Sequence, residues 1–493
     1  MRLAELLKGI RVLGGGKNLL TDVKGIFSDS RKKVFKGAFV AIKGEKRNGN
    51  EYIQEAISNG AVVIITDDEN TYEKEKNAVL VESSRRALSY MWDNFYNHPT
   101  ENINLVAITG TNGKTSCAYY LYNILRTSGK DVGLISTIEC LINGERIELN
   151  GGSEVLDICS AMTTPDPEIL YSLLDEMRAK GVKYIVMEAS SHALEQEKLS
   201  PLSADYAIFT NLSAEHLEFH KTLEAYYQAK KRLFKEKTIS IVNVDDSYGE
   251  RLKNELDNVK ACSLKKKADF YAENIELLSR GYRYKIKDNN KYNVIDGQIN
   301  GEFSVYNSLL SLACARSMGI EMQCIVTAIS TLNGVEGRFE KIDDSNIYVD
   351  YAHTPYAVEN VLKELKKITP EGRVFALFGC GGDRDRSKRA KMGEIATLLA
   401  DVCIITSDNS RSERTLDIIV DIMKGIRDKC ELAIIPDREK AILYAISQLR
   451  KKDSLILLGK GHECYQIDNQ GKHYFNEREI VRRALKHDKN EAL

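Results

Sequence analysis

An apolar run over residues 105–109 opens directly into Gly110, Thr111, Asn112, Gly113, Lys114 and Thr115, and this junction limits the possible folds more than any other segment of the chain. Two glycines let the backbone curl until its N–H groups converge on an anion, Lys114 adds a point charge, and Thr115 offers a hydroxyl to a divalent cation. A helix over 116–128 is expected to follow, its N-terminus toward the anion. The G-x-x-G-K-T spacing is two residues shorter than the common G-x-x-x-x-G-K-T, with Ile108 standing where the first glycine would be. A strand that feeds such a turn belongs to an α/β sheet, and the ligand expected on it is ATP.

At 493 residues the chain exceeds one ordinary domain, and at roughly 100 to 200 residues per domain three are expected. Breaks at His98-Pro99-Thr100 and over 334–337 place them at 1–99, 100–336 and 337–493. In the first, apolar runs at 38–42 and 61–66 flank a helical pattern at 52–59. The second alternates strands at 105–109, 184–188, 205–210 and 240–243 with helical segments, and the third does the same with strands at 347–350, 374–378, 402–406 and 454–458. Such alternation implies mostly parallel sheets with helices on both faces.

The 70 basic and 71 acidic residues leave a net charge of −1, so no global field draws nucleic acid or an anionic membrane, and neither is an expected partner. No apolar run approaches the roughly 20 residues that span a bilayer. The first eight residues form a short amphipathic pattern carrying Glu5, unlike a signal peptide. Ten cysteines, with no C-x-x-C pair, fit reduced thiols in the cytoplasm.

Glu188 ends the 184–188 strand, at the carboxyl edge where open α/β sheets place ligands, and its carboxylate beside the Thr115 hydroxyl would suit Mg²⁺. A helix cap or solvated turn is the plainer use of such a residue. His216 and His220 lie four apart, but Glu218 is misplaced for the H-E-x-x-H of a zinc protease. The reading favoured here gives His216 a metal role and leaves His220 on a helical face.

Four further segments carry a resemblance: G-T-N-G-K-T at 110–115, M-E-A-S-S-H-A-L at 187–194, F-T-N-L-S-A-E-H-L at 209–217 and Y-A-H-T-P at 351–355. In this order and spacing the chain resembles the Mur ligase family, most narrowly the members that add the third residue of the peptidoglycan stem peptide. The resemblance implies three domains: a small N-terminal α/β nucleotide-sugar domain, a central parallel-sheet ATPase domain and a C-terminal Rossmann-like α/β domain. It implies ATP and Mg²⁺, a monomer, and ligation of meso-diaminopimelate to UDP-N-acetylmuramoyl-L-alanyl-D-glutamate through an acyl phosphate.

By that resemblance Lys230 is a carbamylated lysine, catalytic together with Lys114, Glu188 and His216, and the metal ligands are Thr115, Glu188, His216 and the Lys230 carbamate. The ATP site adds Gly110, Thr111, Asn112, Gly113, Asn307, Arg338, Asp350 and His353. Ser28, Ser30 and Arg31 would meet the uridine diphosphate, and Thr163, Thr164, Ser190, Gln196 and Lys198 the muramoyl dipeptide. Where relatives carry D-G-H the chain has Asn48-Gly49-Asn50, and Lys198 replaces an arginine, keeping charge but losing a bidentate fork. Glu215, Glu336 and Ser304 likewise stand where relatives carry aspartate, proline and asparagine.

Arg384 would hold the α-carboxylate of the incoming amino acid. Asp408, Asn409, Ser410 and Arg411 stand where the diaminopimelate-adding enzymes carry D-N-P-R, so Arg411 would clamp the distal carboxylate that lysine lacks. Gly459 and Glu463 would receive the distal ammonium. Ser410 replaces the proline, which predicts a loop without that residue's fixed φ. Three other readings remain: L-lysine or another amino acid as acceptor, a divergent paralogue of the family, and a folylpolyglutamate-synthetase-like amide ligase, against which the Ser28–Arg31 segment argues.

Overall fold

The computed structural model describes residues 1–44, 47–147, 162–278, 280–427 and 429–491. Ala161, which begins the segment leading to Thr163, lies outside them. Three sheets follow one another along the chain. The first has five strands in the order Val12–Gly14, Ala78–Val81, Ala61–Thr66, Gly37–Val40, Gly25–Phe27, parallel except for the first pair.

The second sheet holds the phosphate turn. Its parallel part runs Phe270–Leu277, Val259–Ser263, Ile239–Asn243, Tyr206–Phe209, Asn104–Thr109, Tyr184–Glu188, Val132–Ile135. Asn104–Thr109 is all but fully buried, as a strand covered by helices on both faces must be, and this is why its sequence is an unbroken apolar run. The mostly parallel sheet carries antiparallel additions at both edges: Tyr282–Asp288 and Lys291–Gly297 form a hairpin on one side, Cys140–Ile142 and Glu145–Arg146 on the other. These strands alternate or are short, so they lack the apolar run that betrays an interior strand.

The third sheet has the order Glu340–Lys341, Ile347–Asp350, Ser454–Leu458, Val374–Phe378, Val402–Ile405, Glu431–Ile434, parallel after the first pair. A separate hairpin, Tyr465–Asp468 with Gly471–Tyr474, stands outside it.

The helix after the phosphate turn spans Lys114–Thr127, two residues earlier than its apolar pattern indicates, because Gly113 at φ 85° serves as its N-cap. Lys114 and Thr115 thus lie in its first turn. It packs Cys117, Leu121 and Ile124 inward against the helix Glu302–Ser317, where Ser311 Oγ donates to the Cys117 carbonyl at 3.0 Å.

One buried cation braces the third sheet. Arg438 opens the helix Arg438–Ser447 and donates to Glu477 at 2.7 Å, to the Ser407 carbonyl at 2.9 Å and to the Leu458 carbonyl at 2.8 Å, tying two strand ends together. Replacing it leaves Glu477 buried without a counter-charge, so Arg438→Met is expected to lower unfolding free energy by about 3–5 kcal/mol, read from the urea midpoint.

Candidate active site

Parallel pairing aligns the carboxyl ends of Asn104–Thr109, Tyr184–Glu188 and Tyr206–Phe209, so Gly110, Glu188 and Thr210 emerge side by side. The turn is braced from its neighbour: Thr111 N donates to Asn211 O at 2.9 Å, Asn112 N to Asn211 Oδ1 at 3.0 Å, and Thr210 Oγ1 to Asn112 O at 2.6 Å. Glycine is required at two of its positions. At Gly110, φ 151°, a Cβ would fall 1.8 Å from Thr210 Oγ1, and at Gly113 it would meet Asn307 Oδ1 at 2.5 Å.

Lys114 Nζ folds back to donate to Gly110 O at 3.0 Å and Thr111 O at 2.9 Å. Lys230, 116 positions later on the helix Leu223–Lys231, is buried and donates to the same Gly110 O at 2.8 Å, its ammonium 4.5 Å above the Tyr226 ring. Burial, then the nearby Lys114 charge, pushes the Lys230 amine well below the ordinary lysine range, against a smaller pull from Glu215. Burial likewise lowers Lys114, with Glu188 and Glu215 opposing.

Glu188 is fully buried and gathers donors. Thr137 N reaches Oε1 at 2.8 Å, and the hydroxyls of Thr137 and Thr115 each reach Oε2 at 3.1 Å. Thr137 Oγ1 is also 3.2 Å from Thr163 Oγ1. Thr164 Oγ1 donates to the Glu188 carbonyl at 2.9 Å and accepts from Ser190 N at 3.0 Å, while Ser190 caps the helix Ser191–Glu195. Thr163, Thr164 and Ser190 are thus joined to the Glu188 carboxylate or its backbone. Thr137 was missed by sequence reasoning; its only signal is its place just beyond the Val132–Ile135 strand.

His216 sits in left-handed backbone at φ 55°, between the carboxylates of Glu215 at 3.8 Å and Glu218 at 3.7 Å, its ring 4.7 Å from that of His192. Burial, then Lys114, holds it down to about 4 despite the pull of Glu218. His220 is instead a packing residue, bonded through Nε2 to Ser191 Oγ at 2.9 Å and tilted against Tyr226. Among the described residues no group of three or more His, Cys, Asp or Glu side chains converges as a metal cage.

A cavity of about 990 Å³ is lined by residues 111–115 of the turn with Thr137, Thr163, Glu188 and His216, and its opposite wall comes from the third sheet and the helix that leads to it. Arg338 lies over the Tyr351 ring at 4.6 Å and donates to Thr115 Oγ1 at 3.3 Å. Asp350 accepts from Phe339 N and Ala352 N, both at 2.6 Å, and burial raises its carboxyl against the pull of Arg338. His353 bonds Tyr351 O at 2.8 Å and is held to about 4, first by burial and then by Lys388. Asn307 reaches the cavity from Glu302–Ser317 and takes the Cys117 thiol at 3.4 Å.

The residues expected to meet the nucleotide sugar lie apart from this cavity. Ser28 is exposed, Ser30 is buried and donates to Glu55 at 2.5 Å, and Arg31 pairs with Asp29 at 2.7 Å. Lys32 bridges to Glu168 at the start of the helix Pro167–Ala179. Asn48 closes its own turn by accepting from Asn50 N at 3.2 Å. Lys198 is buried and pairs with Asp166 at 2.7 Å, close behind Gln196, which ends the helix Ser191–Glu195.

On the third sheet Arg384 is exposed in the turn after Val374–Phe378. Arg411, φ 53°, donates through Nη1 to Gly382 O at 2.9 Å and Asn409 O at 3.2 Å, and through its backbone N to Ile467 O at 3.1 Å. The loop is thus pinned by the Tyr465–Asp468 strand without a proline at 410. Asn409 Nδ2 donates to Glu463 at 2.8 Å, and a Cβ on Gly459 would come within 2.5 Å of Asp408 Oδ2. Burial alone would raise Asp408, but Lys460, Arg438 and the Asn409 N–H together hold it below the usual carboxylate range.

Comparison with known proteins places this geometry. Three family models match in order: Mur ligase family, catalytic domain over 22–96; Mur ligase middle domain over 108–315; and Mur ligase, glutamate ligase domain over 337–461. A UDP-N-acetylmuramoyl-L-alanyl-D-glutamate--2,6-diaminopimelate ligase from Caldanaerobacter subterraneus subsp. tengcongensis is 42% identical over 98% of this chain and 99% of its own length. The protein of that name from Clostridioides difficile is 38% identical over the same shares. A solved structure of a ligase so named superposes with TM-score 0.68 at 28% identity, covering 99% of both chains. A folylpolyglutamate synthase from Thermotoga maritima shares the fold over 76% of this chain and 89% of its own, at TM-score 0.60 and 17% identity. No helix among the described residues is long and apolar enough to cross a membrane. With all three family models matched in sequence order and full-length relatives near 40% identity, the chain belongs to the Mur ligase family of ATP-dependent ligases.

Proposed function

We propose that this chain joins meso-diaminopimelate to the D-glutamate γ-carboxylate of UDP-N-acetylmuramoyl-L-alanyl-D-glutamate, giving the UDP-muramoyl tripeptide, ADP and phosphate, as a cytoplasmic step of peptidoglycan precursor synthesis. Residues 1–99 would hold the nucleotide sugar, 100–336 the ATP, and 337–493 the incoming amino acid. The observation that carries the reading is the meeting of Lys114 and Lys230 on one carbonyl oxygen, that of Gly110, at 3.0 and 2.8 Å. Two ammonium groups on one buried oxygen repel each other. Conversion of the Lys230 amine to a carbamate by CO₂ replaces that repulsion with attraction, and burial supplies the neutral amine that the addition needs.

The donor set fits Mg²⁺: the Thr115 hydroxyl and Glu188 carboxylate stand 3.1 Å apart beside the phosphate turn and would hold the ion as hard oxygen ligands, and the Lys230 carbamate and His216 would complete the set. When bound, the ion neutralises charge on the transferring phosphate. The γ-carboxylate attacks the γ-phosphorus, the bond to the β,γ-bridging oxygen breaks and ADP leaves, and Lys114 and Arg338 supply fixed positive charge where negative charge develops. The acceptor amine then attacks the acyl phosphate, and phosphate leaves. Thr163, Thr164, Ser190, Gln196 and Lys198 would orient the dipeptide, and Ser28, Ser30 and Arg31 the uridine diphosphate. Asn307, Asp350 and His353 would line the ATP, and Arg384 would hold the α-carboxylate of the incoming amino acid. Asp408, Asn409, Arg411, Gly459 and Glu463 would read its distal end, and one copy of the chain suffices for all these roles.

The deciding experiment is inorganic phosphate release with ATP, Mg²⁺, the UDP-muramoyl dipeptide and a panel of diamino acids. Turnover with meso-diaminopimelate supports the reading; turnover with L-lysine alone, or with a folate substrate, overturns it. Glu188→Gln is expected to lower kcat by about 10²-fold and to raise the Mg²⁺ concentration for half-activity, because an amide keeps the shape but not the charge. An unchanged Mg²⁺ dependence would remove Glu188 from the ion's surroundings.

A further inference from the structure

Lys460 stands inside the acceptor end of the molecule with no function yet derived for it. Its side chain is fully buried, at the carboxyl end of Ser454–Leu458. Nζ donates to Asn409 Oδ1 at 3.0 Å and to the Tyr465 carbonyl at 2.8 Å, and it lies 4.0 Å from both Asp408 Oδ1 and Glu463 Oε2. Asn409 Oδ1 also accepts from Ile467 N at 3.0 Å. With two donors fixed on its oxygen, the Asn409 amide must present its nitrogen to Glu463, as it does at 2.8 Å.

Charge sharpens the argument. Asp408 and Glu463 bring two negative charges into a dry pocket and Lys460 one positive charge; the neighbouring Arg438 is taken up by Glu477 at 2.7 Å. With Arg411 set against the distal carboxylate of the acceptor, the remainder is one negative charge, which a substrate ammonium would balance. We propose that Lys460 is a positioning residue for the acceptor: it locks Asn409 onto Glu463 and leaves the pocket one positive charge short, so that the distal ammonium of a diamino acid completes it. This rests on the proposed assignment of residues 408–411, Gly459 and Glu463 to the acceptor.

Removal of Lys460 leaves two buried carboxylates facing each other, and one of them then takes a proton. Burial and Asp408 already push the Glu463 carboxyl upward, while Lys460, Asn409 and Tyr465 oppose them. Arg438 and Glu477 also act on Lys460, and His353 acts on Asp408; Tyr351 and Tyr465 face Glu463, Cys380 faces Asp408, and Arg411, Arg338 and Arg384 act on those tyrosines. Loss of Lys460 therefore raises Glu463 further, and a neutral Glu463 holds an ammonium poorly.

The test is steady-state phosphate release by the full-length enzyme, with the KM of meso-diaminopimelate and of ATP measured between about pH 6 and pH 9 for wild type, Lys460→Met and Lys460→Arg. Lys460→Met is expected to raise the acceptor KM about 10²-fold with the ATP KM within about twofold, and the defect is expected to deepen as pH falls. Lys460→Arg keeps the cation but not both short contacts, so about a tenfold rise without the pH effect is expected. An acceptor KM within about threefold of wild type, equal rises for ATP and acceptor, or a defect independent of pH in the methionine variant would overturn the proposal. Should that variant not fold, the arginine variant decides by the same KM split. Absence of wild-type turnover with every diamino acid would overturn the proposed reaction and this inference together; normal wild-type turnover with an unchanged variant overturns only the role of Lys460.

Discussion

Lys230→Ala is expected to lower phosphate release about 10³-fold while leaving the thermal midpoint within a few degrees of wild type. The small structural effect follows from the unfavourable position of the amine: it is buried beside a second cation, and Gly110 O keeps its bond from Lys114 after the substitution. The large catalytic effect would follow, on the proposed reading, from losing the carbamate that would hold the Mg²⁺ meeting the phosphate charge. A companion measurement separates carbamate from amine. Wild-type enzyme in CO₂-free buffer is expected to lose activity and to recover it on addition of bicarbonate, whereas Lys230→Ala responds to neither. Full activity of the wild type without CO₂ would mean that the unmodified amine does the work.

Arg411→Ala is the second. Its guanidinium is anchored at one end by the carbonyls of Gly382 and Asn409, which fixes its plane, and on the proposed assignment its free donors would meet the distal carboxylate. Truncation is expected to raise the KM of meso-diaminopimelate by about 10²–10³-fold, to leave that of ATP nearly unchanged, and to erase most of the discrimination against L-lysine. Equal losses toward ATP and acceptor would place the acceptor pocket elsewhere.

What could be seen beforehand in the chain follows from burial. Tyr184–Glu188 and Val374–Phe378 are covered on both faces, so apart from the terminal Glu188 their residues are apolar without interruption, and their bounds were readable to the residue. Tyr282–Asp288 is covered on one face only, with alternating buried and exposed positions that dilute the apolar signal. Asn289 and Asn290 follow it in left-handed backbone, φ 47° and 63°, and that N-N pair between two alternating runs was the available hairpin signal. In the site, Lys114 was readable because the turn chemistry is local. Lys230 was not: between Ala229 and Lys231 it has the look of a solvated helix face, and only the resemblance singled it out. Thr137 and Lys460 remained invisible because each acts through partners distant in sequence, Glu188 in one case and Asn409 in the other.

The hairpin Tyr465–Asp468 with Gly471–Tyr474 lends its backbone to the 408–411 loop while sharing no ladder with the six-stranded sheet. On the proposed assignment of residues 408–411 to the acceptor, scaffold and selectivity would thereby be uncoupled. Changes in this appendage would retune which amino acid is accepted without touching the six-stranded ladder, which makes it the place to look for divergence between homologues that build chemically different cell walls.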